Sequence, residues 1–459
     1  MNTEADVYKP QHNVRVVTAT SLFDGHDASI NIMRRILQDT GVEVIHLAHN
    51  RSVQEIVDTA IQEDAQGIAV SSYQGGHVEF FKYMVDLLQE NGADHVKVFG
   101  GGGGVIVPEE VRELEAYGVA KIYSPEDGAR MGLQGIINHM VALMDFPTFE
   151  AGDLDPQALQ RDNKLLVAQF ITAIEQAQAK QNGDLAGLRR QLDKRVANRT
   201  VPVIGITGTG GAGKSSLTDE LILRFLHDFK DLNLAIISCD PTRRKTGGAL
   251  LGDRIRMNAI GNPRVYMRSL ATRQSQTEIP ETLADVVRVV KAAGFELVVT
   301  ETAGIGQGDS NIIDLTDLSI YVMTSEFGSA SQLEKIDMLD FADLVVVNKY
   351  EKRGGEDALR DVRKQVQRNR KAFDRQTDDM PVFGTIASKF NDDGVTALYH
   401  AVLETIAAKT GPVFESRLPK PAGKASSSKT VIIPPERIRY LAEIADSVRA
   451  YHRKTDDQA

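Results

Sequence analysis

The sequence predicts an α/β protein: two doubly wound parallel-sheet domains in tandem, a helical connector between them and a helical tail after the second. Three observations carry this. Short β-branched runs alternate with amphipathic stretches, the pattern of strand–helix–strand units that build parallel sheets. The alternation occurs twice, from Asn13 and again from Val201, with polar sequence lacking strand signals in between. At 459 residues the chain also exceeds the size at which a single core keeps growing.

The first series runs through 13–19, 41–47, 67–71 and 96–99, with amphipathic segments at 30–38 and 78–90. From about 155 to 198 the composition favours helix, which makes this stretch the connector. The second series begins at 201–207, recurs at 234–238, 297–300, 318–323 and 344–348, and closes near 381–387. After Pro412 the run PKPAGKASSSK has linker composition, and an amphipathic stretch from Pro435 to His452 forms the tail. The expected boundaries are 1–150, 151–198, 199–412 and 413–459.

Composition narrows the class. Acidic residues exceed basic ones, leaving a net charge of −10, which argues against nucleic acid as a partner. The single cysteine, Cys239, excludes an intramolecular disulfide framework and is read as a buried strand residue. The opening residues are polar, and no apolar run approaches a membrane span, so a cytoplasmic protein without membrane contact is expected.

The sharpest chemistry lies at Gly208-Thr-Gly210-Gly211-Ala212-Gly213-Lys214-Ser215-Ser216, between a strand-like run and a helix-like one. Glycines let backbone N–H groups wrap a β/γ-phosphate, the helix N-terminus adds positive potential, and Lys214 supplies a point charge. Ser215 is placed to ligate Mg²⁺. Asp240 and Glu301 end two later strands, where sheet C-termini meet a phosphate loop, and Asp253 is a further magnesium candidate. Asn348-Lys349-Tyr350-Glu351 resembles the guanine-reading Asn-Lys-x-Asp motif of GTPases, with Glu in place of Asp. A carboxylate there accepts guanine N1–H and N2–H, which adenine does not offer, so GTP is favoured. Ala387-Ser388-Lys389 resembles the companion guanine loop. Glu301-Thr-Ala-Gly304 stands where most GTPases have Asp-x-x-Gly. Gln307 lies three positions beyond Gly304, so slow intrinsic hydrolysis is expected, with Gln307 kept as a candidate to orient water.

In the first series, Asp24-Gly-His26-Asp-Ala-Ser29 follows a strand-like run, and later strands end in Ser71-Ser-Tyr73-Gln-Gly75 and a glycine run through Gly103 and Gly104. All three loops belong at one end of a doubly wound sheet, where such folds bind ligands. The pattern resembles the Asp-x-His-x-x-Gly, Ser-x-Leu, Gly-Gly signature of flavodoxin-like cobalamin-binding domains. That resemblance implies His26 as cobalt ligand, Asp24 as its orienting partner and Ser71 as hydrogen-bond partner of the buried cofactor tail. Tyr73, Gly75, Gly103 and Gly104 fall in the matching loops, the last two lining the tail slot. Ser29 replaces the motif glycine and Tyr73 the leucine.

Ser238-Cys-Asp240-Pro-Thr, Leu250-Leu-Gly-Asp253-Arg and the segment from Glu301 to Gln307 resemble the small G-protein chaperones that service methylmalonyl-CoA mutase. From about Val14 to His452 the chain resembles the N-terminal half of the fused isobutyryl-CoA mutases. The resemblance implies adenosylcobalamin and Mg²⁺ as cofactors and GTP as substrate, with hydrolysis gating cofactor loading or release. It implies a substrate-binding barrel as partner, in cis or in trans, since nothing after Pro412 has the length of an eightfold βα repeat. It also implies dimerisation through the GTPase domain. Loops 240–253 and 326–335 are the expected switches, and Lys335 is a catalytic candidate acting across that dimer. The rival readings are a cobalamin-dependent methyltransferase module, a cobalamin sensor coupled to an NTPase, and an unliganded flavodoxin-like domain.

Overall fold

The structure, a computed structural model, describes residues 6–150, 154–180, 185–197, 199–243, 245–273, 279–302, 304, 310–327, 330–427 and 435–458. These fall into two compact units that interleave in sequence: Met1–Val201 with Asn233–Ala303, and Pro202–Leu232 with Gly304–Ala459.

The first unit opens with a wound α/β domain. Its strands are β1 (Arg15–Thr20), β2 (Glu43–His46), β3 (Gly67–Ser71), β4 (Lys97–Gly101) and β5 (Lys121–Tyr123). They alternate with α1 (Ala28–Asp39), α2 (Val53–Gln62), α3 (His77–Glu90), α4 (Pro108–Tyr117) and α5 (Pro125–Met144), the last broken at Gly132. All strand pairs are parallel, in the order β5-β4-β3-β1-β2. The order reverses between β1 and β3, so the loops after these two strands diverge and leave a crevice. Both faces are buried, which is why the strands read as continuous apolar runs.

The connector forms α6 (Lys164–Lys180) and α7 (Leu185–Val196). In the second unit follow β6 (Val203–Gly208) and α8 (Lys214–Asp228). The chain then returns to the first unit for β7 (Leu234–Asp240), β8 (Ala249–Leu251), β9 (Val265–Ala271), α9 (Leu283–Ala293) and β10 (Leu297–Glu301). There β10, β7 and β9 pair in parallel. Arg189 of α7 grips Asp285 of α9 through two bonds of 2.8 and 2.6 Å, so the connector is docked rather than free.

The second unit continues with β11 (Leu318–Thr324), the single-turn helices α10 (Ala330–Leu333) and α11 (Met338–Phe341), β12 (Leu344–Asn348), α12 (Gly355–Asn369), β13 (Val382–Thr385), α13 (Asp393–Thr410) and α14 (Pro435–Gln458). Its strands run β13-β12-β11-β6, all parallel.

Three strands lack a signal in the sequence. β5 is only three residues long. β8 sits among turn residues and pairs with the edge of the first sheet, Glu43 opposite Ala249 and Ile45 opposite Leu251. β9 carries Arg268 in a fully buried position, where charge reads as surface until its partners are known. Those partners form a buried ionic network. Glu63 accepts from Arg254 Nε (2.8 Å), Arg15 Nη1 (3.0 Å) and the Ser269 N–H and hydroxyl (3.0 Å each). Glu175 accepts from Arg268 Nη2 (2.9 Å) and pairs with Arg273 Nη2 (3.0 Å), while Glu43 takes Arg273 Nε (2.8 Å) and Arg15 Nε (2.9 Å).

Acid sensitivity follows from two groups. Burial alone would raise the Glu43 carboxyl, but the guanidiniums of Arg273 and Arg15 outweigh it and pull it from 4.5 to about 2. Burial, with Arg34 nearby, lowers His46 from 6.5 to about 4. Both groups bind protons less readily folded than unfolded, so both cost stability as pH falls. The thermal midpoint is expected to decline from pH 6.5 towards 4 through His46, and more steeply below 4.5 through Glu43. In His46→Gln the upper part of that decline flattens; circular dichroism melts across pH 4–8 check this, and a flat wild-type profile contradicts it.

Candidate functional site

The crevice between β1 and β3 collects the residues of the first motif. Asp24 is buried in the loop after β1. Its Oδ1 accepts from the His26 N–H (2.9 Å) and lies 2.8 Å from His26 Nδ1, and its Oδ2 accepts from the Tyr73 N–H (2.5 Å). Burial disfavours the Asp24 carboxylate, yet these hydrogen bonds outweigh it and hold the group below its ordinary value. An ionised Asp24 favours the His26 tautomer that carries its proton on Nδ1, which would present Nε2 as the lone pair. The His26 side chain is 69% exposed, so that lone pair faces solvent. The loop is held by a left-handed residue, Phe23, at φ +64°, whose N–H donates to Asn50 Oδ1 (2.8 Å). Its ring is 81% exposed beside the histidine loop.

Beside this loop opens a cavity of about 290 Å³, bounded by α1, the ends of β3 and β4, and α5. Ser71, Tyr73 and Gly103 line it, as the motif implies, together with Ser29. Gly75 and Gly104 stand outside the lining, and a Cβ at either would meet nothing within 4 Å. Gly100, Gly101 and Gly102 take that part of the wall instead. At Gly102 a Cβ would lie 2.0 Å from the Ser72 carbonyl, so only glycine permits this approach. The opposite wall is apolar, from Ile30, Met33, Leu133, Ile136 and Met140. The helical spacing of the last three was a usable signal for them. Within this apolar space the Ser71 hydroxyl is buried without a hydrogen-bond partner. A cavity with one unsatisfied polar group suits a ligand that is mostly apolar and carries a polar atom at that depth.

The second motif lies in the second unit. The loop after β6 winds onto the N-terminus of α8, with Gly213 at φ +88°. A Cβ there would meet Asn348 Nδ2 at 2.6 Å. The Lys214 ammonium is buried and reaches the carbonyls of Gly208 (3.2 Å) and Thr209 (3.4 Å). Asn348 ties this loop to the end of β13 and the residues after it: its Nδ2 donates to the Ala212 carbonyl (2.8 Å), and its Oδ1 accepts from Thr385 Oγ1 (3.0 Å) and the Ala387 N–H (3.1 Å). Lys349 donates to the Gly211 carbonyl (2.7 Å). Glu351 Oε2 is buried without a hydrogen-bond partner, an acceptor kept available where guanine donors are expected. Gly210 sits 3.2 Å, by its would-be Cβ, from the Gly304 carbonyl. Ser215 and Ser216 open α8, and Ser388 and Lys389 follow β13, Ser388 exposed and Lys389 partly so. Lys335 is exposed in the loop after α10.

Asp240, Asp253 and Glu301 all belong to the first unit. Burial, then the nearby charges of Asp253 and Glu301, push the Asp240 carboxyl well above its ordinary range, and its Oδ2 is buried without a hydrogen-bond partner. Asp253 accepts from the Ser238 hydroxyl and lies 3.6 Å from Arg256. Among the described residues, no group of three or more His, Cys, Asp or Glu side chains is assembled to hold a metal ion. Gln307 lies outside the described residues. Arg254 belongs to the Glu63 network and Arg243 pairs with Asp39, so each has a partner within its own unit.

Residues 167–420 match the family model described as Methylmalonyl Co-A mutase-associated GTPase MeaB, and residues 14–133 match the B12 binding domain. A fused isobutyryl-CoA mutase of Geobacillus kaustophilus is 58% identical, over 99% of this chain and 42% of that protein. One from Cupriavidus metallidurans is 59% identical, over 98% of this chain and 41% of that protein. The mitochondrial methylmalonic aciduria type A homolog of Caenorhabditis elegans is 32% identical, over 32% of this chain and 37% of that protein. The chain spans about two-fifths of the length of the fused relatives.

Proposed function

We propose a function from one premise: this chain belongs to the MeaB family of methylmalonyl-CoA mutase-associated GTPases and carries a B12-binding domain on the same polypeptide. It holds adenosylcobalamin on His26 and hydrolyses GTP to GDP and phosphate, and the nucleotide state gates loading or release of the cofactor. The recipient is an acyl-CoA mutase of the isobutyryl-CoA type, whose substrate-binding barrel is joined in cis or meets this chain in trans. Bound adenosylcobalamin supplies radical chemistry to that barrel.

The observation that carries the reading is the His26–Asp24 pair beside a cavity whose one buried, unpartnered polar atom is the Ser71 hydroxyl. Asp24 keeps the proton on Nδ1, so Nε2 ligates without first losing one. Ser71 would hold the tail by a hydrogen bond, and Gly102 and Gly103 leave room for it.

On the nucleotide side, the loop from Gly208 to Ser216 wraps the phosphates. Lys214 exchanges weak bonds to loop carbonyls for the β- and γ-phosphates. Asn348, Lys349 and Glu351 read guanine, with Ser388 and Lys389 in the companion loop. Magnesium is proposed on chemical grounds: Asp240 has a buried oxygen without a partner, and the charges of Asp253 and Glu301 add to burial in disfavouring its carboxylate, a cost a divalent cation relieves. Ser215 is its ligand from the phosphate loop by motif. Lys214, Glu301, Gln307 and Lys335 are the proposed catalytic residues, with Lys335 acting across a homodimer. A cytoplasmic setting fits one buried free cysteine and the lack, among the described residues, of any helix long and apolar enough to cross a membrane.

The test is the visible spectrum of adenosylcobalamin retained after free cofactor is removed. Wild type is expected to show a base-off spectrum, in which the cofactor's own benzimidazole has left the metal. His26→Ala is expected to lose the histidine-ligated form and to weaken retention by about tenfold or more. A spectrum identical in both proteins removes His26 from the assignment.

A further inference from the structure

The two positions at which this chain departs from the cobalamin motif touch each other. Ser29, on the first turn of α1, and Tyr73, in the loop after β3, share a hydrogen bond of 2.9 Å between their hydroxyls. Both line the 290 Å³ cavity. The Tyr73 ring also lies 5.6 Å from the His26 imidazole, so the bridge stands at the end of the cavity nearest the cobalt ligand. A cofactor held on His26 would pass its tail by this end, between α1 and the loop of residues 71–73.

We infer that the Ser29–Tyr73 hydroxyl pair is a latch across the tail entrance, closed in the cofactor-free chain and parted when a nucleotide tail enters. The inference rests on the cobalamin reading and adds to it a step that sets how quickly, and to which corrinoids, the cavity opens. The local geometry suits a moving side chain on a fixed backbone. The Tyr73 N–H is anchored to Asp24 Oδ2 at 2.5 Å, and a Cβ at Gly103 would come within 3.0 Å of Tyr73 Cε1, so the ring rests against that glycine. Rotation about the Tyr73 side-chain bonds breaks the bridge without disturbing Asp24 or His26. A glycine and a leucine at the two positions have no hydroxyl with which to form it.

The latch makes a distinction that a merely structural contact does not. A corrinoid with a tail has to part the bridge, whereas one without a tail does not. Stopped-flow absorbance reads the conversion of adenosylcobalamin to its base-off, histidine-ligated form; adenosylcobinamide, which lacks the tail, is the second probe. In Tyr73→Phe and in Ser29→Ala, insertion of adenosylcobalamin is expected to be about three- to tenfold faster, the effect of removing one neutral hydrogen bond. The double variant is expected to match the singles, because each removes the same bond. Association of adenosylcobinamide is expected to be unchanged in all three. Variants indistinguishable from or slower than wild type, or equal acceleration of both probes, overturn the latch while leaving cobalamin binding in place. A wild type that takes up no cobalamin overturns both. Thermal melts of the variants, expected within about 2 °C of wild type for a change at a cavity rim, show that altered rates do not reflect a loosened domain.

Discussion

Lys214→Ala is expected to lower GTP turnover by about a hundredfold or more, while the cobalamin spectrum of the same protein stays as in wild type. The size follows from what the ammonium does. Its bonds to Gly208 and Thr209 are long, at 3.2 and 3.4 Å, so little is lost when they are exchanged for phosphate oxygens. In the proposed reaction it would face charge that grows on the transferred phosphoryl group. Removing one such preorganised charged donor costs about 10²–10³ in turnover. The site is tight, since a Cβ on Gly304 would come within 2.0 Å of the Lys214 ammonium, so no bulky replacement is accommodated without displacing the loop. Phosphate release under saturating GTP, with GDP affinity measured in parallel, separates the chemical effect from binding. Turnover within a few-fold of wild type would mean that Lys214 does not act on the phosphates.

Glu63→Ala is expected to cost about 3–5 kcal/mol of stability, the usual penalty for removing one partner from a buried ion pair. Glu63 is fully buried and receives Arg254, Arg15 and both donors of Ser269. Its loss takes the carboxylate from Arg254 and from both Ser269 donors out of reach of water, and leaves Arg15 with Glu43 and Glu175 alone. Exposed pairs on the same chain set the scale. Arg112 and Glu109 lie 2.9 Å apart on a helix surface, and disrupting them should change stability by at most about 0.5 kcal/mol. Urea unfolding of both variants makes the comparison. A Glu63→Ala protein as stable as the Glu109→Ala protein would show that the network is hydrated in solution or that its neighbours repack.

The contrast between these residues shows what a sequence makes legible. Lys214, Asp24 and His26 stand out in the sequence because each lies within a short motif whose spacing is tied to backbone geometry. Gly213 must be left-handed for the phosphate loop, and Asp24 reaches His26 two residues on. Most strands, though not β5, β8 and β9, were readable for a related reason: burial on both faces leaves continuous β-branched runs. Glu63 offers no such signal. Its partners lie at Arg15, Arg254 and Ser269, and only the folded chain brings them together. Arg268 in β9 is a charge inside a strand and therefore hides that strand. Gly102, rather than Gly104, borders the cavity because the Ser72 carbonyl approaches it, a contact that depends on how β3 and β4 end. The Ser29–Tyr73 bridge was visible only as two departures from a motif, 44 positions apart in sequence.

The pairing of β8 with β2 has a consequence for how the protein is made. The outer edge of the first sheet is finished by Ala249–Leu251, synthesised about 200 residues after the strand it covers. At about 5–20 residues per second a ribosome needs roughly 10–40 s to supply that strand. During this interval the nascent N-terminal domain presents β2 as a bare edge, with open N–H and C=O groups of the kind that recruit foreign strands. The arginines that neutralise Glu63 and Glu175 from β9 and its flanks also arrive late. The cofactor-binding half therefore reaches its final form only once part of the nucleotide-binding half has been translated, which ties the two in biogenesis before any ligand joins them.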